Sequence, residues 1–191
     1  MFSDEKLFTS VLTSPMRVKR PRGTRNEDRY CINQTHLTSV SVNVWGYAAY
    51  GIGVRVFYAG ANFDSPKYIA CLRENLVQAH PELADRILLQ DNASFHVTPE
   101  LKQFFRENRM NVMKLSPQSS DLNLIENCWH LADRKLSHYL LKNYINRPAD
   151  LFAKVKQFCE EIPVEMVNGL FDTMPRRIAE VRVKRGKATH Y

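Results

Sequence analysis

No apolar run in the chain approaches the roughly 20 residues that a membrane-spanning helix needs. The opening Met1-Phe2-Ser3-Asp4-Glu5-Lys6 has no basic segment leading into an apolar stretch, so no secretory signal is expected. Cysteine is scarce. Cys31, Cys71, Cys128 and Cys159 are irregularly spaced, form no CxxC pair and no Cys/His ligand pattern, and read as reduced thiols of an intracellular protein. There is no internal repeat and no low-complexity segment, which excludes a solenoid or an array.

What remains is an ordinary globular composition, 44% hydrophobic and 25% charged over 191 residues, long enough to bury one sizeable core. The net charge is +7. A basic balance favours a polyanionic partner, because neutralising phosphates releases their counterions. The charge is also placed unevenly. Arg17, Lys19, Arg20, Arg22, Arg25 and Arg29 crowd one Pro/Gly-containing stretch, and Arg176, Arg177, Arg182, Lys184, Arg185 and Lys187 crowd the C-terminal segment. Two basic segments around a near-neutral middle suggest arms for a phosphate backbone.

Residues 2–8 read as a short strand, and 9–29 as a long basic loop without periodicity. The alternating, β-branched stretch 39–47 predicts a strand, Gly51 and Gly53 a turn, and 54–58 the returning strand. Ile69, Leu72, Leu76 and Ala79 are at helical spacing, with Asp64 or Ser65 as N-cap. The apolar run Ile87-Leu88-Leu89 suits a buried strand. Thr98-Pro99-Glu100 opens a helix to about residue 108, followed by a strand near 111–115. A long amphipathic helix is expected from Asp121, with Leu122, Ile125, Trp129 and Leu136 along one side. Helices near 149–161, 163–172 and 174–184 complete a single α/β domain, a mixed sheet with helices on both faces and a helical, basic C-terminal tail at 174–191.

The acids at strand ends carry the chemical signal. Asp91 terminates the run Ile87-Leu88-Leu89 and falls at the C-terminal edge of a sheet, where open α/β folds bind ligands. Glu126 lies in the first turns of a helix that follows a strand and loop, and can face the same edge. Asp4 sits inside an apolar strand, where a charge is costly unless compensated, for instance by a divalent cation. Three such carboxylates would make a two-metal phosphoryl-transfer site. Each acid also has a plain reading: Asp91-Asn92 as a turn, Glu126 as a favourable charge at a helix N-terminus, and Asp4 as part of a frayed chain end.

The stretch Leu89-Gln90-Asp91-Asn92-Ala93-Ser94-Phe95-His96 resembles the second-aspartate motif of Tc/mariner transposases. Ser116-Pro117-Gln118-Ser119-Ser120-Asp121-Leu122-Asn123-Leu124-Ile125-Glu126 is similar to their glutamate motif, and 34 residues lie between Asp91 and Glu126, the spacing of one branch of that family. Phe2-Ser3-Asp4, Arg20-Pro21-Arg22-Gly23-Thr24-Arg25, Val42-Asn43-Val44-Trp45-Gly46, Met174-Pro175-Arg176-Arg177 and Arg185-Gly186-Lys187 match further blocks, in order. The resemblance implies a ribonuclease H-like mixed five-stranded sheet and a site in which Asp4, Asp91 and Glu126 hold two Mg²⁺ or Mn²⁺ ions. It also implies nicking and strand transfer on DNA by a nuclear, homodimeric enzyme. Asn92, His96 and Asn123 are the candidates to orient the carboxylates. Arg17, Lys19, Arg20, Arg22, Arg25, Arg176, Arg177, Lys184 and Arg185 are the candidates to bind DNA.

The sequence departs from the family at two prolines of the glutamate motif, where Ser120 and Leu124 stand, and this should cost local rigidity. It also lacks the paired helix-turn-helix modules that precede the catalytic domain in the family. Asp4, close to the chain start, is therefore expected on a frayed strand that misplaces the first ligand. An inactive or domesticated nucleic-acid-binding module is the alternative.

Overall fold

The computed structural model describes residues 1–11, 20–24, 27, 39–83, 85–116 and 119–191. Five strands, β1 (Phe2–Thr9), β2 (Ser41–Ala49), β3 (Gly53–Tyr58), β4 (Ile87–Gln90) and β5 (Asn111–Lys114), form one mixed sheet in the order β3-β2-β1-β4-β5. The first three are antiparallel neighbours, whereas β4 and β5 run parallel to β1.

β1 is therefore the central strand, not a frayed end. It pairs with β2 along all eight residues, from Phe2 opposite Ala48 to Thr9 opposite Ser41. On its other side the Met1 ammonium donates to the Ile87 carbonyl and Leu89 N–H donates to the Met1 carbonyl. Sequence reasoning expected fraying because these partners lie about ninety residues away and are invisible to local pattern. Strand alternation then divides the core. Phe2, Phe8, Val44 and Val56 face helices α3 (Leu124–Leu140), α4 (Pro148–Glu160) and α5 (Val164–Asp172). Met1, Trp45, Tyr47 and Leu88 face α1 (Ser65–Leu72) and α2 (Pro99–Glu107). A last helix, α6 (Met174–Val183), continues from α5.

Local chemistry sets most helix starts. Asp64 accepts from Lys67 N–H, and Thr98 accepts from Leu101 N–H ahead of Pro99. Two helices differ from expectation. The segment 65–79 is α-helical only to Leu72 and then widens to a π-helical stretch, Arg73–Gln78. At that junction Asn75 Nδ2 donates to the Cys71 carbonyl, a side-chain bond that competes with the backbone ladder. The long helix begins at Leu124 rather than Asp121. Ser120–Leu122 forms a 3₁₀ turn, and Asn123 is extended with ψ 98°. Leu124, Ile125, Cys128, Trp129, Ala132 and Leu136 are its buried residues, so its inward face starts one turn later than the sequence suggested.

Gly46 lies opposite Asp4 and directly beneath the Trp129 indole. A Cβ there would come within 2.6 Å of Trp129 Cη2 and 2.8 Å of the Arg55 carbonyl oxygen. Any side chain would push α3 off the sheet. We expect Gly46→Ala to destabilise the domain by about 1–3 kcal/mol, read as a lower urea midpoint with unchanged m-value.

Candidate metal centre

Phe2 pairs with Leu89 across the parallel β1–β4 junction. Counting two residues onward along each strand brings Asp4 and Asp91 abreast at the C-terminal edge of β4. The glutamate comes from the other side, since Glu126 occupies the first turn of α3. Asp4, Asp91 and Glu126 line one cleft of about 430 Å³, together with Asn92, Asn123 and the loop carrying Ser116, Ser119 and Ser120. The three acids picked from the sequence are thus brought together, from within the central strand, the end of β4 and the start of a helix.

Asp4 is the most constrained of them. It accepts a hydrogen bond from the Trp129 indole N–H at 3.3 Å, one turn along α3 from Glu126. Burial pushes its pKa up to about 7 from 3.8, and the nearby Glu126 and Glu5 carboxylates push in the same direction. A carboxyl so perturbed by desolvation and like charge suits a site built around a cation. A second sign is Asn123 Oδ1, buried in the same cleft without a hydrogen-bond partner among the described residues. Clustered carboxylates and an unsatisfied carbonyl oxygen are the hard oxygen donors that Mg²⁺ or Mn²⁺ prefers, so the residues present fit a divalent cation.

Asp91 is half exposed and held through one oxygen. Its Oδ1 accepts from Ala93 N–H at 2.9 Å and lies 2.7 Å from His96 Nδ1. His96 is buried at 3% exposure, and its Nε2 lies 3.3 Å from Glu5 Oε1. Burial alone would lower the imidazole pKa, but Glu5 and Asp91 on its two sides outweigh that and raise it. Glu5, Asp91 and His96 form the group of three with potential ligand atoms within 4.8 Å of one another among the described residues. Both imidazole nitrogens are already engaged by the two carboxylates, so this group is a hydrogen-bonded strut beneath Asp91. His96, a candidate from the sequence, lies between Asp91 and Glu5. Glu5 was missed, although it is a second acid in the same apolar strand, and alternation places it on the opposite face from Asp4.

The two asparagines do other things than orient carboxylates. Asn92 Nδ2 donates to the Leu115 carbonyl at 2.7 Å and, beside the bond from Leu115 N–H to the Gln90 carbonyl, extends the β4–β5 ladder past its last strand residue. Asn123 contributes its backbone carbonyl to Glu126 N–H and no side-chain cap to α3. Among the basic candidates, Arg20, Arg22, Arg176, Lys184 and Arg185 are exposed, with Lys184 paired to Glu180. Arg17, Lys19 and Arg25 lie outside the described residues. Arg177 corrects the sequence reading. It is 1% exposed and bonded internally, hence unavailable to a DNA backbone, because its helix turns it under the glutamate loop. Cys71, Cys128 and Cys159 are free and buried.

A mixed five-stranded sheet with helices on both faces and acids at the edge of its parallel strands defines a ribonuclease H-like domain. Residues 1–146 match the DDE superfamily endonuclease family, and the chain belongs to that family. It is 29% identical over 196 residues to the Tcb1 transposase of Caenorhabditis briggsae, covering 100% of this chain and 70% of that protein. Its backbone is similar to the Mos1 mariner paired end complex with Mn, with a TM-score of 0.70 and 17% identity over 97% of this chain and 55% of that one. It is also similar to the catalytic domain of Mos1 mariner transposase, with a TM-score of 0.61 and 17% identity over 80% of this chain and 77% of that one. The Tc/mariner resemblance read from the motifs is borne out by these relatives. The chain spans about half the length of the Mos1 chain in the paired end complex.

The Asp4 carboxyl gives a pH signature. Between about pH 4 and 7 the folded state keeps a proton that the unfolded chain has released, so stability without metal falls as pH rises through that window. Asp4→Asn should flatten this slope and raise the metal-free melting temperature at pH 8 by roughly 2–4 °C. It should also abolish any rise in melting temperature on adding Mn²⁺. Thermal melts at pH 4, 6 and 8, with and without Mn²⁺, check both.

Proposed function

We propose that this domain is the catalytic part of a cut-and-paste DNA transposase, performing metal-dependent phosphodiester hydrolysis and then strand transfer. The observation that carries the reading is the meeting of Asp4, Asp91 and Glu126 in one open cleft at the edge of the parallel strands. Asp4 and Asp91 would hold one divalent ion between them, and Glu126, with Asp4, a second. When bound, such ions supply the Lewis acidity that activates water or a DNA 3′-hydroxyl and offsets charge on the leaving oxygen. The protein's own part is to hold the acids still. The indole of Trp129 fixes Asp4. The His96–Glu5 strut ties Asp91 through its Oδ1. Leu124 and Ile125, fully buried, anchor the turn that carries Glu126.

DNA is the substrate this geometry suits. The cleft opens to solvent at an edge a duplex can reach, and the net charge of +7 favours a polyanion. Arg20, Arg22, Arg176 and Arg185 are exposed cations that could meet phosphates. The assembly on DNA would be a homodimer holding two transposon ends, by analogy with the Mos1 paired end complex, and its place of action the nucleus.

Two measurements test this. With pre-cut transposon ends and Mn²⁺, Asp91→Ala and Glu126→Ala should each lower strand-transfer product by roughly a hundredfold or more while leaving the circular dichroism spectrum unchanged. Product equal to wild type would remove the assignment. In a salt titration of DNA binding, Arg176→Ala and Arg185→Ala should each reduce the slope of log K against log salt by about one, with affinity lowered alike for every sequence.

A further inference from the structure

Helix α3 starts without help from its own cap residue. Asn123 makes no side-chain bond to the helix, yet the first turn carries Glu126, whose placement decides whether the cleft holds together. Neither Ser120, which opens the 3₁₀ turn, nor Leu124, which opens α3, restricts φ as a proline would. The restraint arrives from fifty residues further along the chain. Arg177, on α6, sends Nη1 to the Asp121 carbonyl oxygen at 2.6 Å and Nη2 to Asn127 Oδ1 at 3.1 Å. Its Nε donates to Thr173 Oγ1 at 2.9 Å, and the Tyr191 ring covers the guanidinium at 4.5 Å. Beside it, Thr189 N–H donates to Asp121 Oδ2 at 2.7 Å. Asp121 is thus gripped at its carbonyl by one C-terminal segment and at its carboxylate by another.

A buried guanidinium costs several kinds of solvation, and an apolar side chain would fill the same space with less penalty. What the guanidinium alone provides is a planar fork. One nitrogen reaches the loop before α3 and another reaches the residue after Glu126, so the two are held at a fixed separation. We propose that Arg177, with the Thr189–Asp121 bond, is the positioning element that sets Glu126 in the cleft. It touches no reacting group and acts through Asp121 and Asn127. The inference rests on the reading of Glu126 as a metal-site acid.

The test uses the full chain and two readouts. Hydrogen exchange is followed at the amides of Leu122, Asn123 and Glu126, which bond to Ser119, Ser120 and Asn123. Mn²⁺ affinity is measured by calorimetry with the metal alone. The variants are Arg177→Lys, Thr189→Pro, which deletes the donor to Asp121, and Glu126→Ala. Leu101→Val, on the opposite face of the sheet, controls for general destabilisation. Arg177→Lys should speed exchange at these three amides by about tenfold and weaken Mn²⁺ binding by about tenfold, with Thr189→Pro acting in the same direction. Leu101→Val should do neither at a matched loss of melting temperature. Loop exchange in Arg177→Lys equal to wild type would overturn the proposal, whatever the metal does. Mn²⁺ binding that survives Glu126→Ala, with faster loop exchange in Arg177→Lys, would instead overturn the metal reading and leave the clamp standing.

Discussion

The mutual repulsion of carboxylates crowded at one sheet edge is what the surrounding structure has to contain. Asp4 shows the strain most directly, since burial and the nearby Glu126 and Glu5 raise its pKa to about 7. Acids in such a place would move apart or turn to solvent if their backbones allowed it. They are prevented from doing so by rigid attachments of different kinds. Asp4 sits on the central strand, paired with Gly46 of β2 two residues beyond the Phe2–Leu89 pairing with β4. Asp91 is tethered by a backbone amide and a buried imidazole. Glu126 is borne by a helix whose inward face is fully packed.

These attachments are not equivalent. Asp4 is held by sheet hydrogen bonds, which open only when the core opens, whereas Asp91 stands just past the last residue of β4 and depends on side chains for its direction. His96 and Glu5 supply that direction from beneath, and Asn92 closes the β4–β5 ladder on the outer side. A site assembled from one rigid and two supported acids has its tolerance for movement concentrated in the supported pair.

Much of this was legible in the sequence where the signals were local. Alternation in the stretch around Val42 and Val44, the Asp64 and Thr98 caps, and Asp91 at the end of its apolar run all correspond to what the fold contains. What could not be read was set by partners far along the chain. The central position of β1 depends on bonds from Met1 to Ile87 and Leu89. The start of α3 at Leu124 follows a 3₁₀ turn that Arg177 grips from α6. Arg177 itself looked like one more cation in a basic tail, because composition does not distinguish a charge turned inward from one turned to solvent. The π-helical stretch after Leu72 was hidden for another reason, since its apolar spacing is that of an ordinary helix.

Trp129 gives the domain a property unrelated to its chemistry. Its indole ring packs over Gly46 and edge-on against Phe8 at 5.9 Å, while its nitrogen touches the Asp4 carboxylate. One chromophore therefore borders both the core and the charged cleft. Its emission would be sensitive to the electric field of whatever charge the cleft carries, giving the domain a built-in optical probe that needs no label.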